Sequence, residues 1–454
     1  MITDATTERA RNVVLVTFDS VRADHCGFVD PASSLTPELD AMAEQGTAFS
    51  RAVASSSRTP TSVPELLTGV PMPHRDADSQ TGEMARIREH VTSYETVAAR
   101  FAERGYTTAG FSANPWTGDG TGFPDAFERF DQLDQGGEYT RLYRTLMPFV
   151  TGTAAGVVVY YLDSWLRKTG SFSQWEAFAE DLFATIDRLP EPYFVWVFLM
   201  DAHNPYIVPK RDRVENSTLD MYYGMLRGNS QLRHSSGESY LADDLPPSVE
   251  KRVVRAYRDS VRSVDRFAGE LRQRVDTSDT SVVFHADHGE AFKEHGTYGH
   301  QNALYQENVH VPLLVYGADA EAGRVVEDPV SLRSMPDLLL SLGAGEGVPV
   351  DELTAGPVVS RTASGDTLAV STRRWKYIVG PDGAELYDLE ADPEERRNVA
   401  DEHPEVCADL DRDLGAYRAT VPELDAAAEA AAAREDDDIG DELRSHLQTL
   451  GYVD

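Results

Sequence analysis

Three stretches of strand length share one punctuation, and nothing else in the chain constrains its fold as strongly. Asn12 to Phe18 (NVVLVTF), Tyr193 to Met200 (YFVWVFLM) and Ser281 to Ala286 (SVVFHA) are largely apolar, and they stop at Asp19, Asp201 and Asp287. Runs without polar alternation belong to central strands covered on both faces, the habit of α/β sheets. In open α/β sheets ligands bind beyond the carboxyl ends of the strands, so each aspartate stands where a ligand group belongs.

The third run continues into His288, Gly289 and Glu290, with His285, His295 and His300 close by. A carboxylate supplies charge, a neutral imidazole supplies nitrogen, and glycine lets the backbone turn tightly, which together suit a metal ion. Asp201 and His203 are two residues apart and face one side if the backbone is extended. On these residues alone a second meaning stays open. Asp19 also suits the cap of a following helix, and the Asp287 segment also suits a polar loop.

Hydroxyls crowd at Ser55 to Ser62, just before a short helical stretch with Pro60 and Pro64 near its first turn. The helix N-terminal amides and Arg58 could hold a tetrahedral oxyanion. A hydroxyl here could serve as a metal-activated nucleophile, or simply cap the helix. Elsewhere, helices are expected over Leu35–Gly46, over 90–104, around Trp175–Ile186, over Ser248–Val275 and over Ser331–Leu342. Strands are expected at Phe49–Val53, Gly105–Phe111 and Val309–Tyr316, and a polar loop over 207–245. The stretch 117–170 has no readable periodicity, and there is no internal repeat.

The 454 residues carry 42 basic and 76 acidic side chains, a net charge of -34, and the only lysines are Lys168, Lys210, Lys251, Lys293 and Lys376. Abundant carboxylates with few lysines fit a halophilic chain, since high salt screens their mutual repulsion. Such charge argues against nucleic-acid backbone or an anionic membrane as partner. Cys26 and Cys407 lie far apart in no zinc or CxxC pattern, and Met1 to Arg11 lacks an apolar core. A reduced, cytoplasmic protein without a signal peptide is expected. Phe149 to Leu162, the most apolar run, is too short for a membrane span.

Taken in order, the motifs resemble the sulfatase family of the alkaline phosphatase superfamily. Asn12 to Asp24 (NVVLVTFDSVRAD) is similar to its first strand and metal segment, Leu66 to Gly69 (LLTG) to the segment after its nucleophile, and Asp201 to Tyr206 to its HxPY segment. Asp287 to Glu290, Gly299 with His300, and Leu304 to Pro312 resemble its DHGE, GH and LYEENxRVP pattern. Trp375 to Ile378, Glu385 to Asn398 and the closing LGY resemble its C-terminal part. The resemblance implies an α/β fold of alkaline-phosphatase type: a central mixed, mostly parallel sheet flanked by helices, with a smaller C-terminal α+β subdomain. The expected division is a catalytic domain over 1–360, a subdomain over 361–420 and an acidic, alanine-rich tail over 421–454.

Residue by residue, the resemblance implies one divalent ion (calcium, manganese or zinc) on Asp19, Asp287, His288 and Thr59. Counting back from Leu66 puts Thr59 at the nucleophile position. His203 and His300 would bind the transferred anion, with Arg58, or protonate the leaving oxygen. A second ion on Asp201, His203 and His300 is the alternative to a single-metal site.

Departures from the family refine this. Sulfatases proper carry C/S-x-P-x-R, converted to formylglycine; the aligned positions here read Thr59, Thr61 and Val63. Threonine cannot yield that aldehyde because its β-carbon bears a methyl, so no formylglycine is expected. Ser62 and Pro64 keep half the motif in a later register, with Leu66 at the arginine position. Ser20 replaces a second aspartate, which weakens the case for calcium. The expectation is a hydrolase of sulfate- or phosphate-type esters acting on a small-molecule, glycan or lipid ester. Its alternatives are a phosphodiesterase- or phosphoglycerol-transferase-like enzyme and a catalytically silent anion binder.

Overall fold

The computed structural model describes residues 10–74, 82–133, 140, 143–146, 154–167, 173–230, 232–235, 238–241, 245–300 and 303–422. The expected tail over 421–454 lies almost wholly outside them, as do most of the residues read for a signal peptide.

Strands in chain order are β1 (Asn12–Phe18), β2 (Thr47–Val53), β3 (Thr107–Ser112), β4 (Arg129–Gln132), β5 (Tyr193–Leu199), β6 (Leu232–Ser235), β7 (Glu238–Leu241), β8 (Thr280–Ala286) and β9 (Ala291–Phe292). They continue as β10 (Tyr298–Gly299), β11 (His310–Gly317), β12 (Arg324–Val326), β13 (Val330–Ser331), β14 (Val358–Arg361), β15 (Leu368–Ser371), β16 (Trp375–Gly380) and β17 (Gly383–Asp388). The main sheet runs β12-β2-β11-β8-β1-β5-β3-β4, with β13 also against β2. Only β11 runs against its neighbours; the other pairings are parallel. The expected mixed, mostly parallel α/β sheet is therefore observed.

The three runs ending in aspartate are neighbours. Phe18 pairs with Ala286 on one side and Leu199 on the other, so β8, β1 and β5 end level. Every residue of these strands is buried, as the lack of alternation required. Trp196, fully buried, packs against Phe123, Phe127 and Phe130 and donates to Thr17 Oγ1 at 2.9 Å. His285, in β8, points into this layer: its Nε2 lies 2.8 Å from Thr17 Oγ1, which removes it from the loop histidines.

Several local expectations shift. The single helix expected over 90–104 is two, Glu83–Ser93 and Val97–Glu103, because Thr96 caps the second by accepting from the Ala99 amide. The loop expected over 207–245 contains the helix Thr218–Asn229, and 117–170 contains the helix Ala154–Arg167. Around Trp175–Ile186 a 3-10 turn precedes the helix Ala179–Ile186. The long helix Pro247–Arg274 matches its expected extent.

β14 to β17 form a separate antiparallel sheet, covered by the helix Pro404–Arg418 through Val359, Leu368, Val370, Leu386, Leu410 and Leu414. Cys26 and Cys407 are both free thiols. No helix among the described residues is long and apolar enough to cross a membrane.

Candidate active site

Level strand ends set the first geometry. The Asp19 amide donates to Leu199 O at 2.9 Å and the Asp287 amide to Phe18 O at 3.3 Å, so the sheet ladder carries into the site. Between them Ser20 turns with φ of 62°, in the left-handed region. The turn is held from outside: Tyr257, on the long helix, donates to Ser20 O at 2.9 Å and accepts from the Arg22 amide at 3.0 Å. The Ser20 amide in turn donates to Asp287 Oδ1 at 3.3 Å, and its hydroxyl to Asp19 Oδ1 at 2.7 Å.

Asp19, Asp287 and His288 are each fully buried, and one ligand atom from each falls within 4.8 Å of the other two. His288 donates from Nδ1 to Gly289 O at 2.9 Å, which fixes its tautomer and leaves the Nε2 lone pair toward the carboxylates. Nε2 lies 3.5 Å from Asp287 Oδ2 and 4.0 Å from Asp19 Oδ1. Thr59 joins this group as the first residue of the helix Thr59–Thr68, beyond the end of β2. Its hydroxyl donates to Asp287 Oδ2 at 2.8 Å and lies 3.1 Å from His288 Nε2. Ser62, one turn on, donates to Asp287 O at 2.7 Å and ties the helix to the same turn.

Burial and the neighbouring Asp287 raise the Asp19 carboxyl, and burial pushes Asp287 up to about 7. Glu290, also buried, is pushed up to about 7 for the same reason, and burial takes His288 down to about 4. Among the described residues, the ion-pair partners of these three carboxylates are imidazoles rather than lysine or arginine. Buried carboxylates without a strong cation are costly. Two aspartate oxygens, one imidazole nitrogen and a hydroxyl are a donor set that a divalent ion satisfies, so the residues fit the expected metal.

The other expected residues divide. The His300 ring centroid is 4.9 Å from that of His288 and 5.2 Å from that of His203, so the three imidazoles form one wall. Burial and His203 hold His300 well below the ordinary imidazole range, and the charge of Arg58 adds to this. Arg58 is buried, with Nη2 3.7 Å from Glu83 Oε2. The helix amides expected to hold an oxyanion are mostly spent. Thr61 and Ser62 donate to Arg58 O, and Pro60 has no N–H.

Asp201 is not brought to this wall. Its carboxylate accepts from the Trp175 amide at 3.2 Å and faces Glu176, Asp212 and Arg266. The residues expected for a second ion, Asp201, His203 and His300, thus do not form a ligand group. The physical reason is that the chain turns at Asp201 instead of staying extended, so the two-residue spacing no longer sets a common face.

Two groups were missed by reading the sequence for charged strand ends. Asn114, just past β3, donates from Nδ2 to Asp19 Oδ2 at 2.9 Å. Glu290 reaches His300 Nδ1 at 3.4 Å and hydrogen-bonds Tyr206. The same strand-end rule, extended to amides, points to Asn114.

Comparison with known proteins gives the family. The sulfatase family model matches residues 11–344. Arylsulfatase K of Homo sapiens is 29% identical over 199 residues, covering 36% of this chain and 36% of that protein. Arylsulfatase K of Danio rerio is 31% identical over 196 residues, 36% and 37% of the two chains. The match thus spans little more than a third of these relatives' length. Among solved structures, a phosphonate monoester hydrolase of Agrobacterium radiobacter superposes with TM-score 0.63 at 20% identity over 90% of this chain and 95% of that one. A 2-O GAG sulfatase does so with TM-score 0.63 at 18% identity, over 93% and 96%. With a family model matched over most of its length and the same fold throughout, the chain belongs to the sulfatase family.

Proposed function

We propose that this protein is a metal-dependent hydrolase of sulfate- or phosphate-type esters that uses Thr59 as its nucleophile. The observation that carries the reading is the Thr59 hydroxyl, 2.8 Å from Asp287 Oδ2 and 3.1 Å from His288 Nε2, beside two buried carboxylates. Asp19, Asp287, His288 and Thr59 would hold the divalent ion, which when bound supplies charge that acidifies a hydroxyl and neutralises an anion.

Thr59 Oγ1 attacks the sulfur or phosphorus of the ester, forming a bond to it as the bond to the leaving oxygen breaks. Its proton leaves along the hydrogen bond to Asp287 Oδ2. Arg58 and the imidazoles of His203 and His300 face the anion, and its negative charge opposes the depression of His300. One of them then gives a proton to the leaving oxygen. Glu290, against His300 Nδ1, orients that ring. Water then forms a bond to the sulfur or phosphorus as the bond to Thr59 Oγ1 breaks; the proton passed to Asp287 returns to Oγ1, and a proton of the water restores the imidazole that protonated the leaving oxygen.

The names of the relatives and neighbours place sulfate esters and phosphonate monoesters in the assay panel, with phosphate monoesters and diesters beside them. The acidic, lysine-poor composition makes high salt the assay condition. Thr59→Ala should abolish turnover of every substrate the wild type accepts, with circular dichroism and melting unchanged. Full turnover in that variant would move the nucleophile elsewhere.

A further inference from the structure

We infer that Glu395, carried by the segment after β17, is a positioning residue for the hairpin that presents His300, an inference that rests on the role given to His300 above. His300 directly follows β10, whose Tyr298 and Gly299 pair with Phe292 and Ala291 of β9. The root of this hairpin is fixed within the catalytic region: Asn308 Nδ2 donates to Gly299 O at 3.1 Å, and the Gly289 amide donates to Asn308 O at 2.8 Å. Its tip is fixed from outside.

The tip residue His295 stacks on Tyr305, with centroids 3.7 Å apart and planes 7° from parallel. Its Nε2 donates to Glu395 O at 3.1 Å, so Nδ1 carries the lone pair unless the ring is protonated; Nδ1 lies 2.7 Å from Glu307 Oε1. A ring donating at one nitrogen and lying this close to a carboxylate at the other is held in the imidazolium form, and its pKa is raised accordingly by Glu307. The Glu395 side chain grips a second segment: Oε2 accepts from the Gln306 amide at 2.6 Å. The next residue, Glu307, offers its carbonyl to the Glu290 amide at 2.8 Å, just past the ligands Asp287 and His288.

Two features mark Glu395 as placed for this task rather than as filler. Its backbone sits at φ of 54°, a conformation that costs a non-glycine residue of order 1 kcal/mol or more. Its Oε1 lies 2.9 Å from Lys376 Nζ on β16, and both side chains are fully buried. A surface loop needs neither a buried charge nor a left-handed glutamate. Backbone and side chain of one residue thus hold both segments that flank the metal turn, and Lys376 ties them to the separate antiparallel sheet.

The test uses the full chain loaded with its divalent ion. His295→Phe/Glu307→Gln keeps the ring stack, removes both hydrogen bonds of the imidazole and neutralises the buried carboxylate that the single change would strand. The double variant Lys376→Met/Glu395→Asn removes the buried charges together and places at 395 a residue that tolerates the left-handed region. A displacement of about 1 Å from a remote change can cost on the order of 10²-fold in rate, so at least about tenfold loss in kcat is expected in both variants, with KM and melting temperature retained. The loss should be greater for an alkyl ester than for a nitrophenyl ester of the same anion, because only the alkyl leaving group needs protonation. In 13C-histidine-labelled protein, assigned with His300→Ala, the His300 signal should shift while that of His285 stays. An unmoved His300 signal overturns the inference even in a protein without esterase activity, and so does a kcat loss matched by a fall in melting temperature. Should His300→Ala itself show no leaving-group dependence while the His300 signal moves in the clamp variants, the role of His300 fails and the positioning by Glu395 stands.

Discussion

Replacing Glu65 by alanine should destabilise the protein by about 3–5 kcal/mol, the cost of stranding buried charge when one partner of an ion pair is removed. Glu65 is fully buried in the helix that begins at Thr59. Its Oε1 accepts from Arg361 Nε at 2.9 Å and from the Met72 amide at 3.0 Å, and its Oε2 accepts from Arg333 Nη1 at 3.1 Å. Arg361 is 1% exposed, so bulk solvent does not take the carboxylate's place. For a chain of this size the urea slope exceeds about 3 kcal/mol/M, so the unfolding midpoint should fall by roughly 1 M. Pairing Glu65→Leu with Arg361→Met should recover most of the loss, since apolar residues of similar volume replace buried ion pairs at little cost. The two arginines hold the Glu65 carboxyl below its ordinary value of 4.5 despite burial. A depressed folded-state value means the stabilisation is full above the unfolded value and is lost as pH falls through the folded one. The gap between wild type and Glu65→Ala should therefore narrow in acid below about pH 4.5. A loss under about 1 kcal/mol near neutral pH, or a gap that widens in acid, would refute the reasoning.

Two further substitutions probe the site. Asn114→Leu removes the amide that donates to Asp19 Oδ2, and loss of such an outer partner should weaken divalent-ion binding by about 10–100-fold in equilibrium dialysis; an unchanged affinity would deny Asn114 that part. Gly289→Ala would set a Cβ 2.1 Å from Glu307 O, a backbone atom that cannot swing away. Overpacking of this kind costs about 1–3 kcal/mol or more, and the shift should also lower metal affinity; a variant melting like wild type would show that the turn relaxes freely.

What the sequence made legible follows from where physical signals are redundant. Asp19 and Asp287 stood out because an apolar run of strand length without alternation fits a central strand, and the residue after such a strand falls where α/β sheets place ligands; the helix-cap and polar-loop readings stayed open in the sequence. Asp201 carried the same signal and misled, because direction after a strand end is set by the next turn; the Trp175 amide captures that carboxylate. The helix Thr218–Asn229 was hidden by Gly224 and Gly228, which look like loop residues. Gly224 is there for contact: a Cβ would come within 2.8 Å of the Arg252 Cβ on the long helix. Close helix approach is a tertiary demand, and local propensity cannot report it. Glu395 was legible as family pattern and illegible as a part of the site, since its partners His295 and Gln306 lie 100 and 89 residues away in sequence.

The reversed strand β11 sits between β8 and β2, so the ends that carry Asp287 and Thr59 are separated by a strand travelling the other way. Two interstrand spacings, about 10 Å, divide the tip that bears the carboxylate from the tip that launches the hydroxyl. The gap is bridged by the loop from Ala54 to Arg58 and by the first turn of the helix. Changes in that bridge can retune the reach and identity of the attacking group while the carboxylates keep their ladder bonds. An architecture so divided lets one half of the chemistry drift across generations while the other stays anchored.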